Sequence, residues 1–349
     1  MVVSMRKTCT DKNRKTVLVT GGAGYIGSVL TEVLVKRGFF VKVLDTFYFG
    51  RSPLKNLHNN IEIIEGDIRR PPVKAFNGVD AIIHLAGLSN DPTAEFNPTA
   101  NKEINTIATK NLAITAKKHG VKRFIFASSC SIYDKGLEND IDIKDENFIV
   151  TPRYPYALSK YLAERELLKL HDTLFNVIIF RKGTVHGFSP RMRYDLIINT
   201  MIRFALQHKA IRIYCRGLQW RPIIAIEDVV EAYCIVLDAD LKDIGGEIFN
   251  ITGDNYQVKE IAERVKDMIE HCYNIPIRLV YEQDNKIDRS YRVSNDKAKE
   301  KLKFTPKISM NMSIKSILEQ ISHSQYYQDF DNPIFNNIEW MRPILKKMS

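Results

Sequence analysis

The sequence is short of cysteine and pairs none by spacing. Cys9, Cys130, Cys215, Cys234 and Cys272 are odd in number, scattered, and never form Cys-x-x-Cys. That pattern argues against a disulfide framework and a structural zinc, so no metal is expected and a reducing cytoplasm suits the chain. No apolar run approaches the ~18 residues of a membrane span, and no membrane helix is expected. The lead-in over residues 1–14 is basic, with Arg6, Lys7, Lys12 and Arg14 against Asp11. It has no apolar core, so it reads as a flexible tail and not a secretory signal. Helix-turn-helix, RNA-binding and zinc-finger patterns are missing too. The net charge of +10 therefore favours an anionic small substrate over nucleic acid. Internal repeats and low-complexity tracts are absent.

What is present is an alternation. Apolar runs ending at Thr20, Asp45, Asp67, Gly87 and Ser129, and the run "NVIIFRKG", are separated by helical stretches. One long helix is expected around Asn101–His119 and a second from near Tyr154. Alternation of this kind predicts an α/β fold with a mostly parallel sheet covered on both faces. After about Pro190 helices and short strands mix. This divides the chain into a dinucleotide-binding domain over 15–190, with 222–250 returning to it, and a smaller substrate lobe from 191–221 and 251–322. The tail over 323–349 has aromatics but no clear period. A docked extension and an irregular arm both remain open for it.

Three motifs carry chemistry. In "TGGAGYIGSVL", Gly21 permits a tight turn out of a strand, Gly24 lets a pyrophosphate approach the backbone, and Gly27 allows close helix packing. The helix that follows offers free N–H groups to phosphates. Asp45, about twenty residues on, suits a ribose diol and repels a 2′-phosphate, which favours NAD over NADP. In "YPYALSK", Tyr156 and Lys160 share a helix face, and an ammonium there is expected to lower the tyrosine's pKa. Tyr154 has the wrong spacing to Lys160. In "FIFASSCSIYD", small hydroxyl residues end an apolar strand, where ligand crevices form.

Together these motifs resemble the extended short-chain dehydrogenase/reductases, and within them the nucleotide-sugar epimerase/dehydratase family. The resemblance implies a Rossmann-type doubly wound sheet, NAD as cofactor, a nucleotide-diphosphate sugar as substrate, and a homodimer joined through the helix bearing Tyr156 and its neighbour. It implies that Gly21, Gly24, Tyr25, Ile26 and Gly27 hold the pyrophosphate and Asp45 the ribose. Asp67 and Ile68 would flank the adenine. Leu85, Ala86 and Gly87 would line the crevice, Asn105 would support the active-site backbone, and Thr184 would lie beside the nicotinamide. Ser129, Tyr156 and Lys160 would be catalytic. Ser89, Asn90, Cys130, Ser131, Arg191, Arg193, Arg221 and Arg289 are the substrate candidates, the arginines for their fit to phosphate.

Dehydratases of the family carry acids at the two positions after the catalytic hydroxyl; here these are Cys130 and Ser131. The expected activity is therefore oxidation of a sugar C4 hydroxyl, foremost a 4-epimerase. A C4 dehydrogenase or ketoreductase is the alternative, ahead of a 4,6-dehydratase and a non-catalytic scaffold. His186 is expected to be a packed strand-end residue, and Asp228 to cap its helix.

Overall fold

The computed structural model describes residues 14–57, 59–134, 142–282 and 289–348. The basic lead-in, apart from Arg14, lies outside them, as does Cys9.

Seven strands form one all-parallel sheet. Across it they run Ile248–Ile251, Asn176–Lys182, Arg123–Ser129, Ala81–His84, Thr16–Thr20, Phe40–Asp45 and Ile61–Glu65. Their continuous apolar character has a direct cause. Alternate residues feed two cores, one on each face. Val17, Val19, Val41, Val43, Ile83, Ile125 and Ile178 pack into one. Leu18, Leu44, Ile64, Ile82, Phe124, Phe126 and Val177 pack into the other. A half-solvated sheet would show polar alternation instead. Strand order reverses between Thr16–Thr20 and Ala81–His84, which opens a crevice beyond their carboxyl ends.

The return to the large sheet is narrower than 222–250. The strand Trp220–Ala225 belongs to a separate three-stranded sheet, between Thr184–His186 and Asn255–Gln257. The helix Ile226–Asp238 then packs against the helix Tyr25–Lys36, and Ile248–Ile251 adds the edge strand. The smaller lobe is built on the helices Ile197–His208, Val258–Tyr273 and Met310–Ser322, with Ala210–Ile213 paired to Arg278–Tyr281. Asp228 sits in the first turn of its helix, but its carboxylate accepts from the Lys307 and Ile308 N–H groups at 2.9 and 3.0 Å. It ties two segments together and does not cap its own helix. His186 is buried at its strand end, with Nδ1 2.8 Å from Ser313 Oγ.

Two findings go beyond the sequence pattern. The long helix near Asn101–His119 is interrupted: Pro98–Lys102 and Thr109–Lys118 flank a π-helical turn, Glu103–Ala108. The tail is docked. Phe335 is buried against Tyr194, Tyr326 and Tyr327, and the helix Asn337–Lys346 packs on Asp91–Phe96. Among the described residues no helix is long and apolar enough to cross a membrane, and no cluster of ligating side chains suits a metal ion.

Candidate active site

The crevice begins at the glycine turn. Gly21 adopts φ +72° and donates to Leu44 O at 2.8 Å. A Cβ on Gly27 would lie 2.1 Å from Gly21 O, so Gly27 packs against the turn itself. A Cβ on Gly24 would meet only Gly21 O, at 3.1 Å; the space beyond is the crevice. Tyr25 opens the helix and is anchored from below, its hydroxyl donating to Gly187 O at 2.7 Å. Asp45 ends the second strand. Its two oxygens accept from Ala23 and Phe47 N–H at 3.0 and 2.8 Å, which fixes the carboxylate and leaves a lone pair on each oxygen for a diol. Burial pushes its pKa up, opposed by those backbone donors. Gly21, Gly24, Tyr25, Ile26, Gly27, Asp45, Asp67, Ile68, Leu85, Ala86 and Gly87 all line one cleft. A carboxylate at the ribose position, an open backbone turn and a helix N-terminus fit NAD.

Asn105 sits beneath this cleft, wholly buried. The π-helical turn aims its amide at the loop after His84. Its Oδ1 accepts from Leu88 N and its Nδ2 donates to Leu88 O, both at 2.9 Å. The side chain thus imitates a strand neighbour for a loop that has none.

The chemical end of the cleft is formed by the helix Pro155–Leu168 and the strand Arg123–Ser129. Tyr156 and Lys160 line it, and the Ser129 hydroxyl lies near enough to the Tyr156 side chain to pull its pKa down. Lys160 Nζ donates to Ala127 O at 3.0 Å and lies 4.8 Å from the Phe126 ring centroid. The expected lowering of the tyrosine's pKa is reversed. Burial, reinforced by the Asp91 carboxylate, pushes Tyr156 up to about 12 despite the pull of Ser129 and Arg193. Burial and the neighbouring Lys182 push Lys160 down to about 7. Desolvation is the largest cause at both groups, and neither figures among the causes of the other's shift. Under the helix, Arg181 and Glu164 form a buried ion pair at 2.7 Å, and Ser128 Oγ donates to Glu164. This pair fastens the helix to the sheet.

The other candidates spread over several places. Cys130 is fully buried, its thiol donating to Arg181 O at 3.1 Å, so it turns away from the cleft. Ser131 Oγ is buried without a hydrogen-bond partner. Arg191 and Arg193 are buried in the cleft wall and are not a solvated pair. Arg193 holds Asp195 at 2.7 Å and Ser89 Oγ at 3.1 Å. Arg191 lies 3.7 Å from the Phe49 ring centroid, on the adenosine side. Ser89 lines the cleft, and Asn90 Nδ2 donates to Asp195 at 3.0 Å. Thr184, Arg221 and Arg289 lie outside the cleft lining. Arg289 pairs with Asp91 and Glu95 at 2.6 and 2.9 Å, and the Arg221 guanidinium bonds the Arg289 carbonyl.

Sequence reasoning passed over Lys182, Asn337 and Met341. Lys182 lines the cleft directly opposite Ser129 in strand register, and burial pushes its pKa down to about 8. Its signal was visible as the lysine after Arg181 at a strand end. Asp91 is pushed up to about 6 by burial against the pull of Arg289. Asn337 and Met341 come from a tail with no motif.

A cleft of this shape, at the switch point of a parallel sheet and with a Ser–Tyr–Lys constellation at one end, defines a nicotinamide-dependent enzyme acting on a hydroxyl or carbonyl. The NAD dependent epimerase/dehydratase family model matches residues 17–252, and the chain belongs to that family. It is 30% identical over 331 residues to a UDP-N-acetyl-alpha-D-glucosaminuronate decarboxylase of Bacillus cytotoxicus, covering 91% of this chain and 99% of the relative. It is 29% identical over 317 residues to a putative UDP-glucose 4-epimerase of Methanocaldococcus jannaschii, covering 88% and 99%. Among solved structures, MoeE5 in complex with UDP-glucuronic acid and NAD superposes with a TM-score of 0.76 at 26% identity, covering 88% of this chain and 99% of that one. NAD is the cofactor.

Proposed function

We propose that the protein oxidises the C4 hydroxyl of a nucleotide-linked sugar and returns the hydride within the same turnover, as a nucleotide-sugar 4-epimerase. Bound NAD supplies a hydride acceptor that later gives the hydride back. Tyr156, as its phenolate, takes the hydroxyl proton at Oη, Ser129 Oγ holds the same oxygen, and Lys160 steadies the pair from Ala127. Arg193, with Ser89 and Asn90 around it, is suited to an anionic or hydroxyl-rich substrate at mid-cleft. The observation that carries the reading is the surroundings of Ser129. Cys130 points at Arg181 O and Ser131 is no acid, so nothing adjacent to the catalytic hydroxyl is built to expel water. The relatives act on UDP sugars by name, which supports a uridine diphosphate carrier.

Lys182 favours a second reading. It is a half-buried cation facing the chemical end of the cleft. A carboxylate on sugar C5 would complement it. Oxidation at C4 then makes that carboxylate a β-keto acid. The C5–carboxylate bond breaks, carbon dioxide leaves, its electron pair enters the enolate, which is reprotonated at C5, and the hydride and proton taken from C4 are returned to the ketone. This is uronate decarboxylation.

Incubation with UDP-glucose, UDP-N-acetylglucosamine and UDP-glucuronate, without added cofactor, separates these readings. C4 epimers with no net NADH support the first. Carbon dioxide and a pentose product support the second. Stoichiometric NADH with a released keto sugar sinks both and points to a dehydrogenase.

A further inference from the structure

We infer that the helix Asn337–Lys346 is the outer wall of the cofactor cleft, and that Asn337 and Met341 retain NAD between turnovers. The inference rests on NAD as cofactor and is independent of which sugar is bound.

The helix presents one stripe inward. Asn337, Met341 and Leu345 are spaced four apart and are all buried, as one face of an α-helix requires. The first two of these line the cleft together with Asp45, Tyr48, Phe49 and Ile68. Met341 and Leu345 join the core that contains Ile68, Leu88 and Ile104. The stripe is therefore polar where it meets Arg191 and Ser89 and apolar further along, where Met341 and Leu345 join the core beside Ile68.

The helix is anchored to each segment that forms the cleft's rim. Trp340 Nε1 donates to Tyr48 O at 2.6 Å, on the loop after Asp45. Asn337 Nδ2 donates to Ser89 Oγ at 3.0 Å, and Asn97 Nδ2 to Leu345 O at 2.9 Å, on the segment after His84. Arg191 Nη2 donates to Asn337 Oδ1 at 2.6 Å, and Tyr194 N to Phe335 O at 2.9 Å, on the segment after His186. Three rim segments far apart in sequence are thus tied by one helix. A dinucleotide beneath it leaves only when those ties loosen together. Arg191 is held over Phe49 by Asn337 on one side and stacking on the other, a posture that fixes its charge on the adenosine half.

The test measures NAD release from the full-length protein. Protein loaded with radiolabelled NAD is chased with excess unlabelled NAD, and the retained label is followed by rapid filtration. The double variant Asn337→Ala, Met341→Ala is expected to release NAD at least tenfold faster, with UDP-sugar affinity within twofold of wild type. An unchanged release rate overturns the inference. So does a variant that loses sugar affinity but keeps NAD, since the helix would then belong to the substrate side. Should that variant fail to fold, hydrogen exchange of the wild type decides. Amides over 337–346 are expected to gain protection when NAD is added, and equal exchange with and without NAD overturns the inference.

Discussion

Tyr156 begins with a pKa near 12 and Lys160 with one near 7. The proton that leaves a sugar hydroxyl must therefore enter a site that desolvation has biased towards neutral groups. Replacing Tyr156 by Phe removes the acceptor and keeps the packing. Turnover is expected to fall by ~10²–10⁴, the range for a positioned acid–base group. NAD affinity, measured by fluorescence titration, should stay within a fewfold; loss of NAD binding would show that the variant disturbs the cleft and not the chemistry. Lys182→Met separates the two functional readings. It is expected to abolish turnover of a uronate and spare that of a neutral sugar, and equal loss on both would remove the carboxylate role.

Histidine sets the acid limit of stability. His84 is buried between Thr20 and Thr109, its nitrogens 2.7 and 2.8 Å from their hydroxyls, and burial pushes its pKa down to about 3. His186 is pushed down to about 4 for the same reason. Unfolded histidine titrates near ~6.5. Below that value the unfolded chain binds protons the folded one does not, so stability is full above it and lost as pH falls towards the folded values. Each histidine adds a slope of up to ~1.4 kcal/mol per pH unit in that window. Urea midpoints recorded from pH 7 to 4.5 should fall, and more shallowly for His186→Gln. An unchanged slope in that variant would assign the acid sensitivity to carboxylates.

Among the elements, the second strand shows how a local rule becomes a cofactor preference. Asp45 can face a ribose only because the glycine turn donates Ala23 N–H to it and the strand stops there. Asp45→Ala is expected to weaken NAD by at least ~10-fold, the loss of a charge-assisted hydrogen bond of ~1.5–3 kcal/mol, and to narrow the gap to NADP. Isothermal titration with both cofactors checks this, and an unaltered NAD/NADP ratio would count against the ribose role.

The same elements show what a sequence can reveal. The large sheet was legible because strands buried on both faces must be apolar throughout, and the glycine turn because a positive φ and a 2.1 Å approach admit no side chain. The π-helical turn was not, since a helix with one wider turn keeps nearly the same apolar period; Asn105 was named but its reach to Leu88 was hidden. Arg191 and Arg193 read as phosphate-facing because a guanidinium suits phosphate, which says nothing of how deeply they are buried. Their burial depends on Asp195, two residues on, and on Asn337, far along the chain. The expected pKa of Tyr156 failed because spacing gives the distance between charges and not the dielectric around them.

At the scale of the whole molecule, the helix bearing Tyr156 and its neighbour leave Leu158, Leu162 and Ile107 exposed at 40%, 36% and 45%. Apolar side chains on adjacent helices suit pairing with a second copy of the same surface, in line with the homodimer the family resemblance implies. Light scattering is expected to give twice the mass of one chain for the wild type and a single chain for Leu158→Glu, Leu162→Glu. A wild-type monomer would end the proposal.

The helix across the cleft also says something about when the protein becomes complete. Asn97 and Leu345 are 248 residues apart in sequence yet hydrogen-bonded, and Tyr48 meets Trp340 across 292. During synthesis the glycine turn, the large sheet and all three rim segments emerge before residue 337 does. Contacts of such separation are slow to close, because the loop entropy is lost before the contact forms. Enclosure of the cofactor is therefore among the last events of folding, and a ribosome that stalls shortly before residue 337 leaves a sheet that is finished and a nucleotide site that is still open.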